Sequence, residues 1–190
     1  MASALSISSP SYTLDDLLLV EGKAELVGGR IIKSMPSGYL PSQVAFEIAI
    51  LLRAYAAALG RGIAFADGVG YAIRPPLTSG RQSFSPDASY YVGPPPPDGM
   101  KFVEGPPVLA VEVRSEGDYS PSAQIEIADK RADYFEAGSA VVWDVDPLAR
   151  TITVYLATSP DQPQVFTSGQ IADAEPALSG LRVKVSDVFK

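Results

Sequence analysis

Neither cysteine nor histidine occurs in the 190-residue sequence. Without cysteine there can be no disulfide, thiolate zinc site or cysteine nucleophile. Without histidine there is no Ser-His-Asp triad, no imidazole-bound zinc and no imidazole acid–base step. Any catalysis is left to carboxylates, lysine, arginine, hydroxyls and an oxygen-liganded cation such as Mg2+ or Mn2+. Charge is also scarce: 19% of residues are charged and 46% are apolar, against a usual charged share of about 25%. This balance excludes a disordered chain or coiled coil and leaves a globular protein of a size suited to one domain. At a net charge of −7, the broad basic face of a phosphate-binding protein is missing, so nucleic-acid affinity would have to come from local patches or a dimer groove. The opening MASALSISSPSYT lacks a secretory signal's basic and apolar regions. The best apolar stretch, Val44 to Leu59, carries Glu47 and Arg53 and falls short of the ~20 residues that span a bilayer. A cytoplasmic protein without a membrane partner is expected.

What is plentiful is proline and glycine, 17 and 16 residues, which implies many turns and short elements. Residues 1–11 are expected to form a flexible tail. Thr13-Leu14-Asp15-Asp16 has the form of a capping box, predicting a short helix to about Val20. Gly28-Gly29 between Ala24–Val27 and Arg30–Lys33 predicts a hairpin with a primed turn. Apolar residues at three- and four-residue steps predict a helix over Ser42–Leu59, stopped by Gly60. Strands are expected near Gly62–Ala66, Val69–Arg74, Asp87–Val92, Val108–Val113, Ala140–Val145 and Thr151–Leu156. A loop is expected from Pro75 through Ser85, and a helix over Ser122–Ala137. One further strand and a Ser186-capped helix should close the chain. The order suggests an α/β (α+β) fold, a mixed sheet flanked by helices in a single domain over 1–190.

Glu112 is the anomaly. It lies inside the most apolar strand, where an ionised carboxylate costs several kcal/mol unless paired or metal-bound. Strand alternation sets it on one face with Ala110 and Arg114. The plain alternative is an ion pair with Arg114 or Lys130. Asp87 follows Pro86 at the start of its own strand, a position that a turn aspartate would also take. Lys130 shares a helical stripe with Ile127, Ala123 and Tyr134, or else pairs with Glu126 on the surface. Arg53, Arg61, Arg74 and Arg81 could line a nucleic-acid cleft or simply be surface charges. Trp143 reads as core.

Pro86-Asp87, Glu112-Val113-Arg114 and Lys130, in that order, resemble the PD-(D/E)XK nuclease superfamily. The resemblance is closest to its Uma-type restriction-endonuclease branch, a bacterial domain of unknown function. Tyr12–Asp16, Ala24–Arg30, Tyr134, Ala137-Gly138, Val142–Pro147 and Thr153-Val154-Tyr155 extend it over most of the chain. The resemblance implies a restriction-endonuclease-like core, preceded by a helix and hairpin. It also implies a Mg2+ (or Mn2+)-dependent endodeoxyribonuclease, active as a homodimer on DNA. Asp87, Glu112 and the Val113 carbonyl would hold the metal, and Asp87, Glu112 and Lys130 would be catalytic. Glu25, Arg114 and Tyr134 would be accessory. The chain departs from the superfamily pattern where a lysine two residues after the glutamate is replaced by Arg114, which cannot substitute simply for lysine. Lys130 on the following helix would then take the lysine's place, leaving Arg114 as a phosphate contact or a partner for Glu112. A retained nuclease fold acting as a binding or assembly module is the alternative.

Overall fold

The computed structural model describes residues 11–190, so the expected tail lies, apart from Ser11, outside the described residues. Helix α1 (Leu14–Leu17) carries the expected capping box, with Thr13 and Asp16 satisfying each other's backbone N–H. It ends about three residues earlier than the apolar run implied. Strands β1 (Ala24–Val27) and β2 (Arg30–Lys33) form the antiparallel hairpin. Gly28 and Gly29 both take positive φ, 56° and 72°, as a primed turn demands.

Helix α2 (Tyr39–Leu59) begins three residues before the expected Ser42 and stops at Gly60 in the left-handed conformation. Pro41 is admitted because the first turn has no intrahelical partner for its missing N–H. By length and composition alone this helix could cross a bilayer, contrary to the shorter apolar stretch read from sequence. One face, however, buries Val44, Ala45, Ile48, Ala49 and Leu52 in the core.

The central sheet has six strands in the order β11 (Gln164–Phe166), β10 (Thr151–Leu156), β9 (Val141–Asp146), β8 (Leu109–Val113), β6 (Ala88–Tyr91), β3 (Ile63–Ala66). Only β8 and β9 run parallel, joined through helix α3 (Pro121–Ala137), and the other neighbouring pairs are antiparallel. The sheet is therefore mixed, as expected. Helix α2 lies on one face against Ala88, Tyr90, Val111, Val113 and Trp143. Tyr134 of α3 lies on the other with Ala110 and Val142. Covered on both sides, β8 and β9 read as almost continuous apolar runs.

Three regions differ from the sequence reading. A small sheet of β4 (Tyr71–Ala72), β5 (Ser83–Phe84) and β7 (Val103–Glu104) occupies regions expected to be a longer strand or loop. Two-residue strands carry too little periodicity to be seen. A 3-10 turn (Glu116–Tyr119) precedes α3. After β10 the chain forms three strands where one was expected: β11, then β12 (Ile171–Ala174) and β13 (Leu178–Lys184), which pair as a hairpin. Helix α4 (Val185–Val188) starts after Lys184, so Ser186 is inside it rather than capping it.

Candidate functional site

The β6–β8 register brings the two singled-out carboxylates together. Ala88 faces Val111 and Ser89 faces Ala110 across this antiparallel pair. One further step sets Asp87 beside Glu112, and the Asp87 N–H donates to the Val111 carbonyl at 3.0 Å. Asp87 Oδ2 also accepts from the Val113 N–H at 2.8 Å. The Glu112 side chain takes the face opposite Val111 and Val113, toward α3.

Helix α3 supplies the partners of Glu112. Lys130 Nζ donates to its two oxygens at 2.9 and 3.0 Å, and the Tyr134 hydroxyl donates at 2.6 Å. Lys130 is thus one turn from Tyr134 on the inward stripe, and the surface pairing with Glu126 is not what forms. Its ammonium is shared with Glu25 Oε1 at 2.9 Å. Glu25 comes from β1, which docks on the Arg81–Ser83 segment through the Leu26 N–H to Ser83 hydroxyl bond, 2.7 Å, and the Gln82 N–H to Leu26 carbonyl bond, 2.8 Å. Glu25 is buried. Its Oε1 also accepts from the Ser85 N–H at 2.9 Å, and Arg81 occupies its Oε2. Arg81 in turn donates to Asp133 Oδ2 at 2.7 Å.

This chain of charges runs Asp133–Arg81–Glu25–Lys130–Glu112, and it explains the divergent proton affinities of two neighbouring carboxyls. Burial raises both, and Lys130 lowers both. Glu25 has Arg81 as a second cation and ends below its ordinary value. Glu112 lacks that second pairing and feels the negative Asp87 and Glu25, so it ends above. Burial opposes the charge on Lys130, but Glu112 and Glu25 outweigh it and hold the ammonium protonated well above the usual lysine range. Burial and the adjacent Glu112 likewise keep the Tyr134 hydroxyl protonated.

Arg114 does not behave as expected. Its guanidinium makes two bonds, 2.7 and 2.6 Å, to the buried Asp144 on β9 instead of pairing with Glu112. The parallel register explains this, because Glu112 faces Asp144 directly and sets that carboxylate within reach of a side chain two residues further along β8. Arg74 pairs with Glu104, and Arg81 is internal, so neither lines an open cleft. Arg53 and Arg61 are exposed. Trp143 is core, as read.

Lys23 was missed. It precedes β1 and lies two residues from Glu25, a spacing that could have placed both on one face. Its ammonium bridges Asp87 Oδ1, 2.6 Å, and Asp67 Oδ1, 2.7 Å. Asp67, in the turn after β3, and Asp133, three residues after Lys130, carry no local anomaly in the sequence. Asp67, Asp87 and Val113 also line a cleft of ≈ 180 Å3 with Ser42 and Phe46 of α2.

Among the described residues no three acidic side chains gather into a ready cation cage. The oxygen donors of Asp87, Glu112 and the Val113 carbonyl nevertheless suit a hard cation that keeps several waters, as Mg2+ does.

A family profile described as "Putative restriction endonuclease" (Uma2) matches residues 14–186. The chain belongs to this family. Among solved structures, a "putative nuclease belonging to DUF820" from Anabaena variabilis ATCC 29413 superposes with a TM-score of 0.70 at 21% identity, covering 93% of this chain and 97% of that one. That likeness shows the fold. None of the curated proteins matches the chain. The Uma2 profile takes in every candidate site residue from Lys23 to Asp144.

Proposed function

We propose that this Uma2 protein is a divalent-metal-dependent endonuclease that hydrolyses phosphodiester bonds in DNA. The observation that carries the reading is the juxtaposition of Asp87 and Glu112 on adjoining strands, with Lys130 bonded to Glu112. Asp87, Glu112 and the Val113 carbonyl would hold Mg2+ or Mn2+. Such an ion supplies a water of lowered pKa and neutralises charge on the scissile phosphate.

The chain's own groups have separable roles. Lys130, kept protonated, cannot serve as a general base, and its ammonium instead stabilises negative charge developing on the phosphate. Tyr134 holds Glu112 in one orientation through its hydroxyl. Glu25, saturated by Lys130, Arg81 and Ser85, positions the lysine. A homodimer would supply two such sites for two strands.

The test is plasmid cleavage with Mg2+ or Mn2+ by the wild type, Asp87→Ala and Lys130→Met. Loss of cleavage in both variants supports the reading. Cleavage that survives Asp87→Ala would place the activity elsewhere. A second reading, a nuclease fold serving as a binding module, is favoured by the ammonium groups already paired with Asp87 and Glu112. DNA binding that neither needs a divalent cation nor leads to cleavage would select it.

A further inference from the structure

Lys23 is a buried-side cation with no part in the nuclease reading, and its two partners are both acidic. Its side chain is 21% exposed and that of Asp87 14%, so their contact is sheltered, whereas Asp67 is 49% exposed. Asp87 has one oxygen fixed by the Val113 N–H, which leaves Oδ1 to face outward. That is the oxygen the ammonium takes, at 2.6 Å. The second contact, to Asp67 Oδ1 at 2.7 Å, gives the ammonium an alternative anchor on the cleft wall.

We propose that Lys23 is an internal counter-ion that competes with the divalent cation for Asp87, with Asp67 as the post to which it retires. The inference rests on the metal reading above and adds a residue that sets the metal affinity. An ammonium and a divalent ion on one carboxylate repel each other at a few ångströms. Uptake of the metal therefore requires Lys23 to give up Asp87 Oδ1. Asp67 keeps the displaced charge paired and holds it beside the cleft, where it faces an incoming phosphate.

The test is titration of the full chain with Mn2+ by calorimetry, alongside thermal scans without metal. Lys23→Met should bind Mn2+ about tenfold more tightly, since a repelling charge is removed. Without metal it should melt earlier, because Asp87 loses its counter-charge. Asp67→Asn should bind Mn2+ more weakly, and most of that loss should vanish in Lys23→Met/Asp67→Asn. A scaffold lysine that merely orients Asp87 would give the opposite sign. Equal or weaker binding by Lys23→Met overturns the proposal and leaves the metal reading standing. If Lys23→Met does not fold, equal or tighter binding by the surface variant Asp67→Asn overturns it instead. Absence of Mn2+ binding in the wild type and all three variants removes both.

Discussion

At the scale of single residues, the two acids on Lys130 pull the pH dependence in opposite directions. Burial raises the folded-state proton affinity of Glu112 above its ordinary value of 4.5. Between those two values the folded chain binds more protons than the unfolded one, so stability falls as pH rises through that window. Metal uptake needs the ionised form, and the acid limb of Mn2+ affinity should be displaced upward from glutamate's ordinary value. Glu112→Gln should therefore raise the metal-free melting temperature at pH 7 while abolishing Mn2+ binding. Thermal scans at pH 7 and pH 5 check this, and the gain should shrink at the lower pH. Glu25 is the reverse case. Its lowered value contributes stability that is present above 4.5 and is lost as pH falls through the folded value. Arg114 is simpler. Asp144 is 4% exposed and depends on it, so Arg114→Gln should cost about 3 kcal/mol in urea denaturation. Because Asp144 faces Glu112 across β8 and β9, the same variant leaves a bare carboxylate beside a proposed metal ligand, and its Mn2+ affinity should change as well, which calorimetry measures.

Among elements, Arg81 is the joint between the β1–β2 hairpin, the segment leading into β5, and helix α3. It neutralises Glu25 on one side and Asp133 on the other, each buried. Arg81→Met would strip Asp133 of its cation and leave Glu25 to Lys130 alone, and should cost about 3–5 kcal/mol. Combining it with Asp133→Asn should cost less than the sum of the separate changes, a coupling that a double-mutant cycle in urea measures. These joints also mark the limit of what the sequence makes legible. Helices α2 and α3, the hairpin and strands β6, β8 and β9 announce themselves through periodicity, glycine stops and apolar runs. Glu112 stands out because a carboxylate in such a run demands a partner. Arg81 and Lys23 look like surface cations, since their partners lie 44 to 64 residues away, and only the tertiary fold brings them together. Arg114 misleads for the same reason. Glu112 lies two residues away on the same strand face, but the parallel neighbour β9 offers Asp144 in better geometry.

For the whole molecule, the decisive quantity is a net charge of −7 on a chain proposed to act on a polyanion. The cations at the site do not offset this, because Lys23, Lys130 and Arg81 are each already matched by two carboxylates. A protein with a basic face binds DNA fastest at the lowest salt, since counterion release and steering both fade as salt is added. Here the encounter is opposed at long range, and salt should help before it harms. The Debye length shrinks from about 30 Å at 0.01 M to about 10 Å at 0.1 M, which removes the long-range repulsion while contacts inside the cleft persist. Plasmid cleavage at a fixed, saturating Mn2+ concentration should therefore rise with added KCl, pass through a maximum near about 0.1 M, and then decline. Initial rates from 0.01 to 0.5 M KCl measure the curve. A rate that falls steadily from the lowest salt would mean that a local basic surface, such as one built around the exposed Arg53 and Arg61, dominates the encounter despite the overall charge.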